Sequence, residues 1–416
     1  MSVFKVGSNK SSQNNFPSVR PTLDLDFANS KTLDPRITFT RASGGSYVGA
    51  DGLIKYAGVN EPRFDHDPVT GESLGFLVEE ARTNLLTYSE DLSQSAWTKS
   101  NMTVAVNVTT APNGAATADK FVVSSDSVST RHEISTSFGS NTVAVTFSVF
   151  LKAAEKTSAT VKIGGNAVAY EVTINLLTGS QTGSTYTSNV ISTSYSVSAL
   201  PGNWYKVILT GTANSGYSIT NGSIFEDSIG NGTSGIFIWG AQLEAGSFPT
   251  SYIPTEASSR TRAADVASIT GTNFSSWYRQ DEGTVVASAS INTSGYLVNF
   301  YGASSTQNRI ALLRNSSGRG QLVVEASAVV QAAISLSGGD SVAIPSRLAG
   351  AYKTDNFYIA QGSSFTGSDT SGSPDTSIYR AAIGSLASSS FANGTIARLA
   401  YYPVRLPDAQ LQVLTR

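Results

Sequence analysis

Short runs in which apolar and polar residues alternate recur along nearly the whole chain, each closed by Gly, Pro, Asn or Asp. This period of two limits the possible folds more than any other feature. TVAVTFSVFLKA (Thr142–Ala153) is the clearest, followed by SATVKI (Ser158–Ile163), AYEVTINL (Ala169–Leu176), WYKVILTGTA (Trp204–Ala213) and GIFIWGAQLEAG (Gly235–Gly246). Successive side chains of a strand point to opposite faces, so each run can bury one face and wet the other. Charged residues are only 14% of the chain, against about a quarter in an average globular protein. Exposed helices normally carry Glu, Lys and Arg, so this shortage also argues for strands. The expected fold class is all-β: an N-terminal β-hairpin region followed by two β-sandwich, jelly-roll-like domains.

With 416 residues, two or three domains are expected. Residues 1–84 read as a polar arm followed by a β region. The arm, Met1 to about Pro17, is rich in Ser, Asn and Lys and has no apolar pattern of its own. PTLDLDF (Pro21–Phe27) then alternates strictly, with Leu23, Leu25 and Phe27 on one face and Asp24 and Asp26 on the other. Asp51-Gly52 marks a turn between two short strands, and DPVTGE (Asp67–Glu72) marks another, where Pro68 presets φ and Gly71 accepts a positive one. Residues 85–255 read as one sandwich and 256–416 as a second, with Thr255–Val266 as a linker or exposed crossover between them. Only Leu406–Thr415 reads as a helix, with Pro407 at its start and Asp408 in its first turn.

The net charge is −2, and the 28 Lys and Arg form no basic run, so nucleic acid is not an expected partner. The chain has no Cys, which removes disulfides, thiolate metal sites and thiol nucleophiles. No secretory leader or run of 18 apolar residues is visible, so a soluble cytoplasmic product without a membrane partner is expected. Without a leader, the Asn-x-Ser/Thr triplets at Asn107 and Asn231 read as ordinary strand and turn residues.

Few residues suggest chemistry. Asp65-His66-Asp67, with Thr70 and Glu72, could offer oxygen ligands to an ion, but the DPVTGE turn accounts for Asp67 without one. Asp24 and Asp26 share a strand face and could hold a structural calcium, although an exposed face explains them as well. His132 lacks a nucleophile-elbow serine. The acid pairs Glu79-Glu80, Glu226-Asp227 and Asp281-Glu282 are adjacent in sequence. Neighbours in a strand point apart, so they do not make the facing pair that glycoside hydrolysis needs. No catalytic residue and no cofactor is expected, and the chain reads as not an enzyme.

Two long stretches, RPTLDLDFANSKTLDPRITFTRAS (Arg20–Ser43) and PRFDHDPVTGESLGFLVEEARTNLLTYSEDLSQSAWTK (Pro62–Lys99), resemble the opening of head-spike, head-fibre and tail-fibre proteins of tailed bacteriophages. Similar proteins also carry GTSGIFIWGAQLEAGSFPTSYIPT (Gly232–Thr255) and TRAADVASI (Thr261–Ile269). Glu282 to Thr415 is similar to the laminin-G-like, concanavalin-like sandwich that often closes such chains. The resemblance implies a carbohydrate-binding-module-like jelly roll at 85–255, a lectin-like sandwich at 256–416, and a structural virion protein made in the host cytoplasm. It supplies no catalytic set. Expected partners are other virion proteins (capsid, portal-proximal, or tail and baseplate) and a host cell-surface polysaccharide.

A homo-oligomer, most simply a trimer, fits weak repeated glycan contacts. A head decoration or cement protein without a receptor is the alternative, and a polysaccharide depolymerase the third reading. Sugars stack on flat rings, and Trp277-Tyr278-Arg279, set among polar residues, is the expected glycan contact. Trp204 and Trp239 read as core or strand-edge residues. Tyr401-Tyr402 reads as packing for the final helix. Virion docking is expected from Phe16, Leu23, Leu25 and Phe27.

Overall fold

The computed structural model describes residues 16–416 except 166, 293, 338–345 and 363; most of the N-terminal arm therefore lies outside the described residues. The fold is all-β, with antiparallel sheets and three short helices among the described residues. The chain divides into two units, both discontinuous in sequence. A terminal unit takes 16–41, 73–80 and 264–416, and a central unit takes 42–72 and 81–263.

The central unit is a sandwich of two six-stranded sheets. One runs in the order Val190–Leu200, Trp204–Ala213, Val145–Ala153, Gly235–Ala245, Ala118–Val123, Met102–Thr109. The other runs Gln181–Tyr186, Val168–Asn175, Ser158–Gly165, Ile219–Ser228, Thr130–Asn141, Thr98–Ser100. Phe147, Val149, Leu151 and Leu209 of the first meet Val161, Ile163, Val172 and Ile224 of the second in one apolar core. In Val145–Ala153 the alternation fails in an informative way, since residues 145–151 are all buried. Phe150 points away from that core and joins Trp204, Trp239 and Tyr252 on the sheet's other face, under Ile54. Ile54 comes from the hairpin Gly45–Val48 and Ile54–Ala57, whose turn holds Gly52 at φ +74° as the Asp-Gly pair predicts.

In the terminal unit, one sheet runs Phe365–Asp369, Phe357–Gln361, Ser346–Lys353, Glu282–Ile291, Gly394–Tyr402. The last strand is flanked by two short ones, Leu23–Asp26 and Ser73–Val78. Where they meet it, Gly75 takes φ +99°, and a Cβ there would sit 2.3 Å from the Ile396 carbonyl oxygen, so no larger residue fits unstrained. The second sheet runs Thr38–Thr40, Val266–Thr270, Arg380–Ile383, Gly295–Tyr301, Arg309–Arg314, Gly320–Ala326, Val329–Ser335. The final helix spans Asp408–Leu414, as its Pro and Asp predict, and buries Leu411 in a cluster that includes Tyr402.

Residues 1–84, expected as a separate docking region, are split between these units. Leu23, Leu25 and Phe27 are 1%, 2% and 1% exposed, and Phe27 and Phe39 both pack on Phe76. Their apolar faces are spent inside the terminal unit, which corrects the docking role given to these three. Phe16 is 62% exposed. The expected linker is also ordered: Arg260–Arg262 pairs with Arg82–Asn84, and Asp265 forms a fully buried ion pair with Arg41 at 3.0 Å. The other Asp265 oxygen accepts from the Glu79 amide, so one carboxylate ties together all three segments of the terminal unit.

Candidate functional site

Trp277 and Tyr278 do not form a surface. They are 4% and 9% exposed and meet Phe274, Phe300 and Tyr401 in a ring cluster, Tyr278 stacking on Tyr401 at 5.3 Å. The Trp277 indole donates to the Asn273 carbonyl at 2.7 Å. The signal was present in the sequence: Phe274, Trp277 and Tyr278 stand at i, i+3 and i+4, the spacing of a helical turn with one buried face. Arg279 remains at the surface but is committed to Asp281 and Glu282. The glycan contact expected at 277–279 is therefore corrected to a core element with a paired arginine.

The other candidates also resolve into local structure. Asp65 accepts from the Val48 amide, His66 faces the Val48 carbonyl, and Asp67 caps the amides of Val69 and Thr70. Asp24 is held in a two-pronged pair by Arg398, and Asp26 caps the short helix Phe27–Ser30. Among the described residues no group of three His, Asp or Glu could hold a metal. His132 lies between the carbonyls of Asn101 and Ser228 and beside Asp126, with no serine hydroxyl as partner. Glu226 faces Ser228 and Lys156, while Asp227 meets Arg131.

The long motifs prove to be structural. After the strand Gly235–Ala245 the chain doubles back, and the buried side chains of that strand hold the return. Glu244 accepts from the Thr250 amide and hydroxyl at 2.8 and 2.5 Å, and Gln242 accepts from the Ile253 amide at 2.6 Å. Asn84, fully buried, donates to the carbonyls of Ala241 and Ile253 and accepts from the amides of Leu86 and Leu243. Ser89 bonds Thr255 and the Tyr252 hydroxyl. Burial pushes the carboxyls of Glu244, Glu90 and Asp119 above the ordinary range despite these bonds.

This latch forms one wall of a cleft of about 310 Å³ within the central unit. Tyr252–Pro254 faces Gly44–Ser46, Tyr56 and Ala57, with Arg260–Arg262 as the third side. Tyr56 lies two residues past Ile54, on the same strand face, where the aromatic cluster ends. The residue is 47% exposed, yet its hydroxyl is enclosed beside Glu90 and Asn113, and this burial raises its pKa. The ring thus has its hydroxyl beside Glu90 and Asn113 and is bare over part of its surface. Arg260 is exposed and close enough to act on that hydroxyl electrostatically. Sequence reading missed both residues, because Tyr56 falls in a short hairpin and Arg260 in what reads as a linker. No cue in the sequence brings these two segments together.

No protein-family model and no curated protein sequence matches the chain. Among solved structures, the sialidase CBM40 of Ruminococcus gnavus bound to alpha2,3 sialyllactose is 13% identical, covering 34% of this chain and 86% of its own, with a TM-score of 0.30. Domains LG4-5 of the mouse laminin alpha1 chain are 10% identical over 78% and 88%, with a TM-score of 0.23. The Trypanosoma rangeli sialidase in complex with the inhibitor DANA is 10% identical over 73% and 67%, at 0.27. Likenesses this slight fix neither the fold nor a ligand.

Proposed function

We propose that this chain is a structural virion protein of a tailed bacteriophage, a fibre or spike subunit that displays its β-sandwiches to bind host surface glycan. The observation that carries the glycan reading is the Tyr56 cleft. A half-exposed ring in a concave site with polar neighbours is the surface a sugar ring stacks on. The virion reading is supported by the long motifs at Arg20–Ser43, Pro62–Lys99, Gly232–Thr255 and Thr261–Ile269. A binding role is favoured over a hydrolytic one because the carboxylates of Glu226-Asp227 and Asp281-Glu282 are engaged with Arg131, Lys156 and Arg279. Weak single-site contacts gain from repetition, so the same proposal makes the protein a homo-oligomer, with a trimer as the simplest form.

Two experiments test this. Antibody-labelled electron micrographs of particles place the protein on head or tail, and unlabelled particles overturn the virion reading. Incubation with host surface polysaccharide should give retention without released oligosaccharide. Release would favour the depolymerase, whereas neither retention nor release would favour a decoration protein without a receptor.

A further inference from the structure

We propose that the Tyr56 cleft takes an anionic sugar, a pyranose unit bearing a carboxylate, with Arg260 receiving the charge and the Tyr56 ring covering the sugar's apolar face. This rests on the glycan reading above and narrows it. Three observations converge on it. The Arg260 side chain forms no hydrogen bond or ion pair among the described residues, whereas three cations of the central sheets are paired: Arg131 with Asp227 and Glu171, Lys162 with Glu171, and Lys120 with Glu155. An unspent guanidinium at the side of a cavity offers a planar fork that matches a carboxylate. The volume of about 310 Å³ lies at the small end of ligand cavities, suited to one sugar unit of a chain rather than several.

The third observation is the distribution of polar atoms. Ser46, the neighbour opposite Tyr56, spends its hydroxyl on the Tyr252 carbonyl at 2.6 Å, and Thr261 pairs with Thr83. The hydroxyls on this wall are thus committed, which leaves the exposed ring and the guanidinium to discriminate between ligands.

The test is titration of the full chain with an oligoglucuronate and with the same oligosaccharide after its carboxyls are reduced to alcohols. The acidic form should bind about 10-fold more tightly at low salt, and the difference should shrink as salt is added. Arg260→Gln should abolish the difference, and Arg131→Gln, away from the cleft, should leave it. Tyr56→Ala should weaken both ligands, with Tyr56→Phe retaining binding; tryptophan emission reports that each variant is folded. Equal affinity for the two forms overturns the anionic proposal while leaving glycan binding intact. Host polysaccharide bound equally by wild type, Tyr56→Ala and Arg260→Gln overturns the cleft as the site. No binding of host polysaccharide by the wild type sinks the glycan reading itself.

Discussion

Asn84→Ala is the sharpest test of the latch. The wild-type side chain is fully buried and makes four hydrogen bonds at 2.9 to 3.2 Å, two given and two received, linking Leu86, Ala241, Leu243 and Ile253. Truncation strands two carbonyls and two amides with little access to water. At about 1 kcal/mol net per bond, with added cost for any group left dry, the central unit should lose about 3–5 kcal/mol. Three of the four tryptophans, Trp97, Trp204 and Trp239, lie in that unit, so emission in a Trp277→Phe background reports it alone. For a unit of this size m is about 2–3 kcal/mol/M in urea, so the midpoint should fall by about 1–2.5 M. A fall below about 0.4 M would show that the return segment is held by its aromatic packing, and that the Asn84 bonds are replaceable by water.

Three further outcomes follow from the same geometry. Trp277→Ala should cost the terminal unit about 3–5 kcal/mol, read as a lowered thermal midpoint, because it empties a packed ring cluster; glycan retention per folded molecule should not change. Arg41→Met should destabilise that unit by about 3–5 kcal/mol by leaving Asp265 charged and buried, and adding Asp265→Leu should recover part of the loss in the double variant. In the central unit Glu90, Asp119 and Glu244 are raised by burial, so the native state keeps protons that the unfolded chain releases near pH 4. Stability should therefore fall as pH rises from about 4 through the raised values, and Glu244→Gln should flatten part of that slope in urea midpoints measured between pH 4 and 7.

Strand periodicity made the all-β class, the two turns and the final helix legible, because each depends on neighbours in sequence. LDLDF was correctly read as half-buried, yet its partner, the strand Gly394–Tyr402, lies too far along the chain for any local pattern to indicate it. Its buried face was therefore assigned to an outside protein. Trp277 and Tyr278 were misplaced because the serines and charges around them outweighed a helical spacing only one turn long. The motifs could be recognised without their purpose being readable. Asn84, Gln242 and Glu244 are polar residues in an apolar setting, and only the fold shows that they bond a doubled-back chain.

The pairing of the first described strand with the last has a consequence for synthesis. Asp24 and its partner Arg398 are 374 residues apart, so at about 5–20 residues per second a ribosome needs roughly 20–75 seconds to supply the second after the first. Through that interval Leu23 and Leu25 lack the strand that pairs with theirs, while much of the central unit, complete by Ala263, can already close. Exposed strands of this kind invite association between nascent chains. The two aspartates spaced through the run give waiting copies a repulsive charge, and one of them is neutralised only when Arg398 arrives. Late closure also means that a chain broken off before residue 394 has no native partner for its first strand.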